Sequence, residues 1–63
     1  MKVIETDNFG GDYPNEQFVV TKSISPELAE AVASELNRKD GPASPRYHRA
    51  VADDYELVPG FTP

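Results

Sequence analysis

The chain has 63 residues, no cysteine, and eleven acidic against six basic side chains, for a formal net charge of −5. That length makes one small domain (residues 1–63) near the lower limit for folding without staples, and the missing cysteine removes disulfides and thiolate metal sites. The acidity argues against direct binding to nucleic acid or to an anionic membrane, both of which draw on a clustered basic patch.

No apolar run reaches membrane-spanning length, and the opening M-K-V-I-E-T-D lacks the apolar core of a signal peptide. A cytoplasmic protein is therefore expected. Met1 to Thr6, with β-branched Val3, Ile4 and Thr6, reads as a first strand. Asp7 to Gln17 (D-N-F-G-G-D-Y-P-N-E-Q) is too long for a tight hairpin and too rich in Gly, Asn, Asp and Pro for regular structure.

This loop carries two aromatics, Phe9 and Tyr13, in polar company. Either they are presented for contact, or they fold back to cap a small core. The second reading is favoured for Phe9, and the two are evenly balanced for Tyr13. The loop acids do not make a calcium site. Counting from Asp7 or from Asp12, the third position falls on Phe9 or Pro14, where an EF-hand needs an oxygen ligand. They read as solvated carboxylates.

Phe18 to Ile24 is a second strand, antiparallel to the first, with Phe18, Val20 and Ile24 on one face and Val19 and Thr21 on the other. The helix follows, over Ser25 to Lys39. Ser25 suits the N-cap and Pro26 the first turn. Glu27 and Glu30 favour the positive end of the dipole, and Arg38 and Lys39 the negative end. Gly41-Pro42 is the stop. Leu28, Val32 and Leu36, with Ala29 and Ala33 beside them, form the apolar stripe.

Gly41 to Pro45 is a stiff connection, Arg46 to Ala52 a third strand, Asp53-Asp54 a turn, and Tyr55 to Val58 a short fourth strand paired back on the third. Pro59 to Pro63 ends regular pairing. The expected architecture is α+β: a single helix packed on a small three- to four-stranded, mainly antiparallel sheet, in the order β-β-α-β-β. One sheet face would lie under the helix. The other, carrying Val19, Tyr47 and Val51, would be left uncovered.

Chemistry-bearing motifs are sparse. His48 is the single histidine and could form a dyad with Asp53, Asp54 or Glu56, but its setting between Tyr47 and Arg49 is that of an ordinary strand residue. Gly10-Gly11 leads into Asp-Tyr-Pro and not into a Walker-type lysine. No catalytic residue, metal or cofactor is expected. A protein-binding role is, with Phe9, Tyr13, Tyr47, Arg49 and Phe61 as the candidate contact residues.

Two stretches, Thr6 to Glu16 (T-D-N-F-G-G-D-Y-P-N-E) and Asp54 to Pro63 (D-Y-E-L-V-P-G-F-T-P), resemble small proteins encoded by phages and prophages. The resemblance brings no activity and no site residues with it. It implies an accessory protein of the host-cell cytoplasm that acts by binding a host or phage protein. Two other readings stand beside this one: a homodimer paired through the open sheet face or an edge, and an acidic mimic of nucleic acid that blocks a basic DNA-binding protein.

Overall fold

A computed structural model describes residues 1–10 and 12–60 of the chain. The elements are β1 (Lys2–Asp7), β2 (Gln17–Val20), α1 (Pro26–Asp40) and β3 (Arg46–Val51). The strands form one antiparallel sheet in the order β2-β1-β3, with α1 linking its two edges. The fold is thus α+β with three strands among the described residues, not four.

The helix lies where its end signals place it. The Leu28 N–H donates to Ser25 Oγ at 3.2 Å, and the Gly41 N–H to the Asn37 carbonyl at 2.9 Å. Gly41 has φ +81°, a region that a side chain would strain. The buried line, however, is Ala29 and Ala33 against Val3, with Met1, Val20, Ile24, Val32 and Ala50 around it. Leu28 is 51% exposed. Alanines on the inner line let the helix approach the sheet closely, which pushes the larger side chains to its flanks.

β2 is shorter than expected and departs from simple alternation. Val20 pairs with Val3 and Phe18 with Ile4, so Val19 is an extra residue, a bulge. Phe18 and Val20 therefore point to opposite faces, contrary to the expectation that they share one. The chain rejoins β1 at Ile24, whose N–H donates to the Met1 carbonyl at 2.8 Å and whose carbonyl accepts from the Met1 amine at 2.6 Å.

The larger correction concerns the far face. Ile4 is fully buried there, and Val51 and Thr6 nearly so. What accompanies them is the segment after β3. Asp53-Asp54 does form a turn, with the Tyr55 N–H on the Ala52 carbonyl at 3.1 Å. The chain then reaches the start of β2 and does not pair back as a fourth strand: the Glu16 N–H donates to the Val58 carbonyl at 2.9 Å.

The outer edge of β3 is already occupied. The Asn37 side chain accepts from the His48 N–H at 2.7 Å and donates to the His48 carbonyl at 2.8 Å. A returning strand would find that position filled.

A pinned aromatic loop as the candidate interaction site

Loop 8–16 leaves the end of β1 and is tied down at both ends, at residues 8–9 and 14–16. The Phe9 N–H donates to Asp7 Oδ1 at 3.2 Å, an Asx turn that sets the exit direction. Asn8 fastens the loop to the connection after the helix. Its N–H donates to the Pro45 carbonyl at 2.9 Å, and its amide to the carbonyls of Ser44 at 2.7 Å and Pro42 at 3.5 Å.

The far half of the loop is held by Arg46. Nε donates to Glu5 Oε1 at 2.7 Å, Nη1 to the Pro14 carbonyl at 2.8 Å, and Nη2 to the Asn15 carbonyl at 2.7 Å and the Glu5 carbonyl at 3.4 Å. A guanidinium can serve a carboxylate and several carbonyls at once because its donors fan out in one rigid plane. Asn15 takes φ +49°, a left-handed turn that asparagine tolerates.

The loop ends on a buried carboxylate. Glu16 accepts from the Thr6 hydroxyl at 2.8 Å, the Tyr55 hydroxyl at 2.5 Å and the Val58 N–H at 3.0 Å, with Arg49 Nη2 at 3.9 Å. Burial alone would push this carboxyl up. The bonds from Tyr55, Val58 and Thr6, with the Arg49 charge, outweigh it and hold Glu16 below the ordinary glutamate range. The same bond, with burial, raises the Tyr55 hydroxyl. Glu16 is thus no solvated loop acid.

On this support Phe9 is 70% exposed and Tyr13 59%. Neither ring caps the core, which corrects the favoured expectation for Phe9. Tyr47 is exposed on β3, beside Thr6 in the pairing. Arg49, on the same face of β3, donates to the Tyr55 hydroxyl at 2.8 Å and lies 5.1 Å from the centre of its ring. It belongs to the fastening of the C-terminal segment. Phe9 and Tyr13 thus lie on the loop, and Tyr47 and Arg49 on β3. Phe61 lies outside the described residues. Sequence reasoning missed Arg46, Asn8 and Glu16, whose importance depends on partners distant in the chain.

His48 is buried on the helix side. Its Nε2 is 3.6 Å from Glu5, its Nδ1 is 3.6 Å from Asp40 and 3.2 Å from Asn37 Oδ1. The carboxylates near it are these, not Asp53, Asp54 or Glu56. Asp53 instead pairs with the Met1 amine at 2.9 Å and accepts from Ser23 at 2.8 Å, which keeps its carboxyl below the usual range.

Family models, curated proteins and solved structures give no match. The charges of the chain itself are the remaining guide. All three arginines sit in ion pairs: Arg38 with Glu35, Arg46 with Glu5, and Arg49 with Glu16. Exposed Asp12, Glu27, Glu30, Asp54 and Glu56 face solvent against exposed Lys22 and Lys39. The outward field is therefore negative, and Asp12 stands beside Tyr13.

Proposed function

We propose that this protein is a small, acidic, non-enzymatic binding module that docks on a protein partner through its 8–16 loop. The observation that carries the reading is the conjunction of two well-exposed rings, Phe9 and Tyr13, with a loop backbone fastened by Asn8, Arg46 and Glu16. Exposed rings on a mobile loop would lose ordering entropy on binding. Rings on a fastened loop lose less, which is why rigid aromatics recur as interface anchors.

Charge favours a basic partner surface. With the arginines engaged, lysines or arginines on a partner would meet the outward carboxylates and could stack on the two rings. Blocking of a basic nucleic-acid-binding protein is one form of this reading. An accessory role in the cytoplasm of a phage host fits the sequence resemblance and forms part of the same proposal.

The test is capture from host lysate with the wild-type chain and with the Phe9→Ala/Tyr13→Ala double variant. Anchor rings are worth about 2 kcal/mol or more each, so each single variant is expected to bind roughly 30-fold more weakly and the double variant on the order of 1,000-fold, with thermal melting unchanged. Capture should also weaken with added salt. Equal capture by the variant refutes the loop as the site.

A further inference from the structure

The sheet has two edges, and the β3 edge is the longer one, six residues against four. Such an edge presents a row of backbone donors and acceptors to any other strand. Here the register fixes which groups face outward. Glu5 pairs with His48, and the His48 N–H and carbonyl both go to the Asn37 side chain. They therefore point away from β1, and the two-residue period gives Arg46 and Ala50 the same outward orientation. The Arg46 N–H is accepted by Ser44 Oγ at 3.2 Å. His48 is the middle of these three outward positions.

The strand is also complementary to itself. In an antiparallel β3–β3 ladder centred on His48, Arg46 of one copy would oppose Ala50 of the other. Tyr47 would oppose Arg49 twice over, on the face away from the helix. Both residues are exposed in the single chain, and a tyrosine ring facing a guanidinium is a favourable cross-strand pair.

We propose that Asn37 is an edge guard. Its carboxamide occupies the central outward pair of β3 as a neighbouring strand would, and so holds off a second copy of the chain. A carboxamide fits this role because it offers one acceptor and two donors on a short stem, matching the N–H and C=O of one residue. The helix presents it at the right depth because Ala29 and Ala33 seat α1 close to the sheet.

The test is mass by light scattering across micromolar to millimolar concentration. The wild-type chain is expected to remain monomeric, and Asn37→Ala to rise to twice the monomer mass with increasing concentration. Asn37→Asp, which keeps the reach and the acceptor for the His48 N–H but loses the donor to the His48 carbonyl, is the milder variant to be read the same way if Asn37→Ala does not fold.

Adding Ala50→Pro, which removes one outward N–H at a position where an edge strand accepts proline, should return the dimer to monomer. In the wild-type monomer the His48 amide should exchange slowly. A wild-type dimer, a freely exchanging His48 amide, a monomeric folded variant, or a dimer that Ala50→Pro leaves intact would each overturn the proposal.

Discussion

The two faces of the sheet are covered by different means, the far one over Ile4, Thr6 and Val51 while Tyr47 and Arg49 stay exposed on it. On one, Val3 meets Ala29 and Ala33 of a regular helix, apolar against apolar. On the other, Ile4 and Val51 are buried, and the segment after β3 is fastened by polar groups: Tyr55, Val58 and Arg49 converge on the Glu16 carboxylate. The difference follows from backbone bookkeeping. A helix satisfies its own N–H and C=O groups and can be laid on a sheet largely by apolar contact, here with the Asn37–His48 bonds at the β3 edge. An irregular segment cannot, so its polar groups need partners from elsewhere in the chain. Glu16 supplies both its carboxylate and its N–H for this purpose.

The largest effect comes from removing the buried side chain beneath the polar fastening. Ile4→Ala should cost about 2–5 kcal/mol, against a total stability of roughly 3–9 kcal/mol for a chain of this length. Thermal melting followed by circular dichroism should then show the midpoint lowered by roughly 10–40 °C. A small shift in melting would mean that the far face is not covered over Ile4.

A narrower change separates the two faces. Glu16→Gln keeps the size of the side chain but sets an amide against donors from Tyr55, Thr6 and the Val58 N–H, at a cost of about 1–3 kcal/mol. The damage should fall on one side. Near-ultraviolet signal from Tyr55 should change while the helical signal keeps its wild-type shape.

Acid should act in the same direction and more gently. Glu16 is held below its ordinary value of about 4.5, so its charged form is the one the fold favours. Its contribution is present in full above that value and is lost as pH falls through the lower, folded one. Melting temperature should therefore decline on the acid side. Glu16→Gln should flatten the decline without abolishing it, because Asp53 is lowered too and titrates in the same sense.

This contrast also explains what could be read in advance. The helix was legible because Ser25, Pro26 and Gly41 act within a few residues of where they stand. The strands β1 and β3 were legible from their composition. The Val19 bulge was not, since only the pairing with β1 determines it. Nor was the course of Tyr55 to Val58. Its composition suits a strand, but Asn37, a residue of the helix, holds the β3 edge it would have used. Arg46 reads as the first residue of a strand, and nothing near it foretells that it fastens Pro14 and Asn15. Glu16, between Asn15 and Gln17, has the look of a solvated loop acid. Long-range hydrogen bonds leave no periodic trace, and the candidate site is built mainly from them.

The measurement closest to the centre of this account is hydrogen exchange at the Val58 amide, which donates to Glu16, with the helix amide of Ala33 as reference. In the wild-type chain at neutral pH both should be protected. In Glu16→Gln, Val58 should become exposed to exchange while Ala33 keeps its protection. A Val58 amide that exchanges at the free-chain rate in the wild type, or joint loss of both in the variant, would contradict two separately covered faces.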